Sequence, residues 1–227
     1  MKPAKFHYLR PSTTEEALEL LWKYGDEAKI MSGGQSLIPL LNMRLSTPDY
    51  LSDLNMVEEL KDIRPGDGTV HIGTLTRQAD IERSSLIKQS CPILQEATSF
   101  IGHKQIRNRG TVGGSIAHAD PSAELPCVLS ALRGKIVIAS LEEERTVAPE
   151  EFFLTYLLTA MELTEMVKEV QFPVLSKTSG YAFVELSRRE GDFALVAVAS
   201  VLDLDDHGVI ALSRLAVGGA NPVPVVL

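Results

Sequence analysis

Ser32-Gly33-Gly34-Gln35-Ser36 and Gly110-Thr111-Val112-Gly113-Gly114-Ser115 are the two stretches from which the fold is read. Each sets a glycine pair beside hydroxyl side chains, where a strand or loop runs into a turn. Glycine reaches positive φ and brings backbone up to a ligand with no Cβ between them. Successive N–H groups in such a turn make a concave anion site. One Gly-Gly alone reads as a tight turn. Two of similar chemistry, far apart in the chain, point to one large phosphate-containing ligand held from both sides, and a dinucleotide has that size and charge.

Neither loop ends in Gly-Lys-Ser or Gly-Lys-Thr, so the Walker pattern is absent. Neither gives GxGxxG, which removes the nicotinamide-type Rossmann fingerprint. What remains is pyrophosphate held by backbone amides of two loops, with the hydroxyls of Ser36, Thr111 and Ser115 beside them. Arg107 and Arg109 precede the second loop and read either as cations for phosphate or a partner subunit, or as a solvated surface pair. Asp120 and Glu124 fall near one helix start, where a carboxylate caps amides or accepts from ribose hydroxyls. Pro121 makes capping the simpler role for Asp120. The histidines at 7, 71, 103, 118 and 207 share no metal-ligand spacing, and His118, beside the second loop, reads first as structural. No GxSxG context offers a nucleophile. The chain therefore carries binding chemistry more clearly than acid–base chemistry, and hard chemistry falls to a bound cofactor.

Composition narrows the partners. A chain of 227 residues, 44% hydrophobic and 23% charged, has ample core for one large domain or two small ones. A net charge of -8 argues against nucleic acid or an anionic membrane surface as a bulk partner. No apolar window approaches a membrane span. Polar sequence follows Met1-Lys2-Pro3-Ala4-Lys5-Phe6-His7, so no secretory leader and a cytoplasmic location are expected. Cys91 and Cys127 stand alone, without the spacing of a disulfide framework or structural zinc.

Local signals divide the chain. Ser12-Thr13-Thr14-Glu15 reads as a capping box opening a helix through Ala17, Leu18, Leu21 and Trp22, stopped by Gly25. Ala28 to Met31 reads as a buried strand delivering the first loop, and Pro39 argues against a long helix after it. Val70 to Gly73 alternates like a strand; Thr76 is placed to cap a helix through Ala79, Ile81 and Leu86, and further helices are expected over 92–100 and 123–132. Strands are expected over 135–140 and 166–172. Past Pro173, segments 181–186, 194–204 and 209–217 read as an antiparallel sheet, with Asp205-Asp206-His207-Gly208 as a hairpin turn.

Three stretches carry a family resemblance: Met31 to Arg44 (MSGGQSLIPLLNMR), Ile101 to Pro126 (IGHKQIRNRGTVGGSIAHADPSAELP) and Ser187 to Phe193 (SRREGDF). Together they resemble the FAD-binding medium subunit of molybdenum hydroxylases, of the carbon monoxide dehydrogenase medium-chain type, with the flavin domain of xanthine dehydrogenase as a more distant likeness. The resemblance implies an α+β fold of the PCMH and vanillyl-alcohol-oxidase type: FAD-binding subdomains over 1–55 and 56–173, then a shortened C-terminal α+β domain over 174–227. It places Ile30, Met31, Ser32, Gly33, Gly34, Gln35, Ser36 and Leu37 along the pyrophosphate and flavin, and Ile101 and Gly102 near the flavin. Gly110, Thr111, Gly114 and Ser115 would form a second clamp, with Asp120 and Glu124 on polar groups of the cofactor and Val167 as an apolar contact. It further implies an iron–sulfur small subunit and a molybdopterin large subunit as partners, with FAD passing electrons to an external acceptor.

Two departures from the family pattern stand out. The quoted chain ends at Leu227, where family members continue, so exposed sheet edge or apolar surface is expected. Val184-Glu185 stand where relatives often carry a basic residue, so no contact to the flavin is expected from that stretch. Two other readings stay open at this point: a stand-alone PCMH-type flavin oxidoreductase, and a cofactor-free scaffold subunit.

Overall fold

The structure is a computed structural model that describes residues 2–205 and 207–227. The first helix is capped one residue later than the box read over Ser12-Thr13-Thr14-Glu15: Thr13 is the N-cap, and Glu16, not Glu15, is the acidic partner. The hydroxyl of Thr13 accepts from the Glu16 amide at 3.1 Å, and the Glu16 carboxylate reaches back to the Ser12 amide at 2.7 Å. Helix α1 (Thr14–Tyr24) then buries Ala17, Leu18 and Leu21, while Trp22 falls off that face and stands 54% exposed. Strand β1 (His7–Leu9) precedes it, and β2 (Ala28–Met31), α2 (Leu37–Met43) and β3 (Tyr50–Asp53) follow. The three strands form a parallel sheet in the order β1-β3-β2. Only Ala28 of β2 is fully buried, so this is a half-covered strand and not the buried one expected. Pro39 is the third residue of α2, inside the first turn, where its missing N–H breaks no helical bond.

The middle of the chain builds a five-stranded antiparallel sheet with helices on one face. Its elements are β4 (Ile63–Pro65), β5 (Thr69–Gly73), α3 (Gln78–Arg83), α4 (Ser85–Ser90), α5 (Pro92–Phe100), α6 (Lys104–Arg107), α7 (Val112–His118), α8 (Glu124–Leu132), β6 (Lys135–Ala139), β7 (Glu144–Val147), α9 (Pro149–Phe152) and β10 (Met166–Pro173). A small hairpin, β8 (Phe153–Thr155) with β9 (Leu158–Thr159), precedes β10, and the sheet order is β4-β5-β10-β6-β7. The single helix expected after Thr76 is two short ones broken at Ser84, whose hydroxyl caps α4 through the Ile87 amide at 3.2 Å. Thr76 is not the cap, because its hydroxyl donates to the Asp62 carbonyl at 3.0 Å.

The last part contributes β11 (Gly180–Ser187), β12 (Ala194–Leu204), β13 (Ile210–Gly218) and β14 (Val225–Val226), antiparallel and in sequence order. The turn expected over 205–208 includes residue 206, which lies outside the described residues. Asp205 helps close it by accepting from the Val209 amide at 2.8 Å.

Helix α8 joins these layers. All nine of its residues are buried, as an all-round apolar helix must be when sheets lie on both sides of it. Leu125, Val128, Leu129 and Leu132 share one core with Val170 and Phe172 of β10, and with Phe183, Ala197 and Ala199 of the C-terminal sheet. A second cluster packs Leu18 and Leu21 of α1 on Leu54, Val57, Leu75 and Met166, fixing the parallel sheet to the antiparallel one.

Candidate functional site: a cradle where the glycine loops meet

The first loop links β2 to α2. Gly34 sits at φ +74°, a left-handed conformation that glycine adopts without strain. Among the described residues, the backbone N–H groups of Gly33, Gly34, Gln35 and Ser36 donate to no protein acceptor. Four neighbouring unpaired amides need water or an anion.

The second loop behaves differently from its expected role as a second set of anion-binding amides. The Gly110 amide donates to the Ile106 carbonyl at 2.7 Å, Val112 to Thr76 at 3.0 Å, Gly113 to Thr74 at 3.0 Å and Ser115 to Thr111 at 3.1 Å. The Gly114 amide is taken by the Thr111 hydroxyl at 3.1 Å, which makes Thr111 the N-cap of α7. That hydroxyl, in turn, donates to Ser32 Oγ at 3.1 Å. Thr111 is 2% exposed, so its hydroxyl is committed to the fold. Ser36 and Ser115 keep hydroxyls without protein partners among the described residues.

The loops touch each other and make one continuous rim. A Cβ on Gly33 would overlap the Arg109 carbonyl oxygen and lie 2.9 Å from Gly110 Cα. One on Gly114 would lie 2.6 Å from Thr111 Oγ1 and 2.8 Å from Ser32 Oγ. Such a junction admits only glycine, and it leaves bare backbone on the ligand side.

Two residues that carried no sequence signal clamp the rim. The Arg77 guanidinium donates to the Arg109 carbonyl and to Asn55 Oδ1. Asn55 Nδ2 donates to the Ser32 carbonyl at 2.9 Å. Burial, with Arg109 nearby, pulls the Arg77 pKa below its usual value. No motif spacing announces these positions, because they act through tertiary contact alone.

Arg107 is not the surface residue of the solvated-pair reading. It is 6% exposed, its Nε donates to Glu82 at 2.9 Å, and its Nη1 donates to the carbonyls of Ile101 at 2.9 Å and Gly102 at 3.1 Å. It pins the turn in which Gly102 takes φ +44°. Arg109 is exposed. Asp120 caps a turn, accepting from the Ser122 amide at 2.9 Å. Glu124 is 7% exposed; burial pushes its carboxyl up to about 8, with Glu185 and Asp120 adding to the rise and Arg107 opposing it. Val167 is 3% exposed and packs in the main core. Ile30, Met31, Gln35 and Leu37 are partly exposed around the first loop, and Ile101 is buried at the second.

Between the Ile101–Gly102 turn and β11 opens a cleft of about 820 Å³, lined by Phe100, Gly102, His103, Arg107, Glu185 and Gly191 among others. That is the size of a small-molecule site. Unpaired amides, a rim that excludes Cβ atoms and a cleft at the Ile101–Gly102 turn together suit a dinucleotide with a planar ring.

Residues 4–175 match the family described as the FAD binding domain in molybdopterin dehydrogenase. The chain belongs to this family. Residues 181–227 match the CO dehydrogenase flavoprotein C-terminal domain. The chain is 46% identical over 225 residues to the 6-hydroxypseudooxynicotine dehydrogenase complex subunit alpha of Paenarthrobacter nicotinovorans, covering 99% of this chain and 76% of the relative. It is 34% identical over 227 residues to the carbon monoxide dehydrogenase medium chain of Hydrogenophaga pseudoflava, covering 100% and 78%. A solved carbon monoxide dehydrogenase from Hydrogenophaga pseudoflava, lacking the Mo-pyranopterin moiety, superposes with a TM-score of 0.96 at 34% identity, again covering 100% and 78%. This FAD-binding domain is thus the flavoprotein part of an oxidoreductase. Among the described residues, no helix is long and apolar enough to cross a membrane, and no cluster of His, Cys, Asp or Glu is arranged to hold a metal. Burial pushes the Cys91 thiol up to about 12 and that of Cys127 to about 11, so both are inert packing groups.

Proposed function

We propose that the chain is the electron-transfer subunit of a multi-subunit molybdenum hydroxylase, holding FAD between an iron–sulfur small subunit that delivers electrons and an external acceptor that takes them. A molybdopterin large subunit would carry the substrate chemistry. The observation that carries this reading is the run of four unpaired amides from Gly33 to Ser36, locked against the second loop. The amides hold the pyrophosphate of FAD, and Ser36 and Ser115 add hydroxyl donors. Arg77 and Asn55 fix the rim, so little loop ordering remains to be done on binding. Bound FAD supplies a carrier that exchanges electrons with one- and two-electron partners. The Ile101–Gly102 turn, pinned by Arg107, forms a wall of the cleft for its ring.

The subunit assignment rests on the family and on relatives named as a complex subunit or a medium chain. The test is purification from the native source with cofactor and partner analysis. FAD at one per chain, together with an iron–sulfur protein and a molybdopterin protein, is the expected result. A flavin-free chain that takes up no FAD in titration overturns the proposal, and turnover by the isolated flavoprotein would make it a stand-alone oxidoreductase.

A further inference from the structure

One carboxylate in the cleft is unexplained by the fold. Glu185 lies on the inner face of β11, opposite Ala197 of β12, two residues after Phe183, which packs against Phe100 at 5.4 Å between ring centroids. Its Oε2 is buried and has no hydrogen-bond partner. A buried acceptor without a partner destabilises a fold and calls for a specific cause. Among the described residues no cation is hydrogen-bonded to it: Lys104, His103 and Arg107 line the same cleft, but none bonds Glu185, and Nε and Nη1 of Arg107 are committed to Glu82 and to the carbonyls of Ile101 and Gly102. Other carboxyl groups lie near it. Glu124, on the first turn of α8, stands close enough for the two carboxyls to repel, and Glu190 also lines the cleft. A carboxyl group is thus placed there with one oxygen buried and unused.

We propose that Glu185 is a cofactor-contact residue whose Oε2 accepts a hydrogen bond from a ring N–H or hydroxyl of FAD seated in this cleft. This assignment rests on the FAD reading above. FAD carries donors of both kinds on its flavin, adenine and sugar portions, and the missing partner is a donor. Where the family pattern leads one to expect a cation, this chain presents an acceptor, so the bound cofactor meets a carboxyl group from β11.

The same arrangement predicts a trade between stability and binding, as strained or unsatisfied groups at ligand sites commonly give. Replacing the carboxylate should relieve the FAD-free chain and weaken the FAD complex. The experiment compares wild type, Glu185→Ala and Glu185→Gln as full chains stripped of flavin, measuring the thermal midpoint without FAD and the FAD dissociation constant by fluorescence titration. Glu185→Ala is expected to melt about 2–4 °C higher without FAD and to bind FAD roughly tenfold more weakly. Glu185→Gln, which keeps an acceptor oxygen, should recover most of the affinity. Wild-type affinity in Glu185→Ala, or a lower FAD-free melting point, would overturn the assignment and leave the FAD reading standing. If the wild-type chain itself takes up no FAD, the parent reading fails first and this one with it.

Discussion

Gly33 is the residue at which the two loops become one site. Its α-carbon faces the Arg109 carbonyl and Gly110 at a separation that a methyl group cannot enter. Gly33→Ala must therefore push the loops apart, because the obstructing atoms are backbone and not the end of a flexible side chain. The expected outcome is a loss of about 1–3 kcal/mol in stability and an FAD dissociation constant raised at least roughly tenfold, since the amide run is displaced with the loop. Gly68 supplies the control, having φ +64° but nothing within 4 Å of an added Cβ. Gly68→Ala should cost about 1 kcal/mol through backbone strain and leave FAD binding unchanged. Denaturant unfolding and flavin titration of both variants check this. Equal FAD affinity in wild type and Gly33→Ala would remove the loop contact from the cofactor site. The sequence announced this glycine, because a Gly-Gly pair between hydroxyls has few other uses. It did not announce Arg77 or Asn55, whose roles exist only once residues 32, 55, 77 and 109 meet in space.

At the level of elements, α7 and α8 explain why the second loop differs from the first. Both loops look alike in sequence and both lead into a helix, but the second must also dock on the end of β5. Gly113 packs where a Cβ would overlap Thr74, and the Thr111 hydroxyl is consumed in capping, so most of the loop's donors are spent inside the protein. Composition does not reveal that division of labour, since it depends on which backbone carbonyls lie across the gap. Strands and helices with strong patterns, such as α1, α5, α8 and β10, were legible from spacing and caps. The β8–β9 hairpin and the break at Ser84 were not, because short elements are set by tertiary contact more than by local preference. The first turn of α8 also carries a titration that unfolding can read. Glu124 stays protonated in the folded protein up to about pH 8, whereas in the unfolded chain it ionises near pH 4.3, about the ordinary glutamate value. Between those values the native state retains a proton that the unfolded state has lost, so stability falls as pH rises through the window and levels off above it. Glu124→Gln removes that contribution: the variant should match wild type below about pH 4 and gain on it progressively toward pH 8. Denaturant midpoints across this range give the answer, and a variant that tracks wild type throughout would mean that the carboxyl ionises normally.

Across the whole molecule, the parallel sheet and the antiparallel sheet are joined twice, by the α1 core cluster and by the rim of the site. Two rim bonds cross between the sides, from Arg77 to Asn55 and from Thr111 to Ser32, while Asn55–Ser32 and Arg77–Arg109 brace each side. A ligand that binds this rim must therefore stabilise both sheets together. At one hundred times its dissociation constant, FAD should add about 2.7 kcal/mol, a rise in melting temperature of roughly 5–10 °C for a chain of this size. Hydrogen exchange should slow in β2 and α2 as well as in α3 and α7. Arg77→Met keeps most of the side-chain bulk while removing the donors that tie Arg109 and Asn55 together, so it loosens the rim with little loss of packing and leaves the Thr111–Ser32 bond in place. In that variant FAD is expected to bind more weakly, and any protection it still gives should be confined to the first loop and the elements beside it. If FAD protects both sides of Arg77→Met as fully as in wild type, the Arg77 tie does not carry the coupling between the sheets. If wild type shows protection on one side only, the two loops do not act on the cofactor as a unit, whatever their contact in the structure.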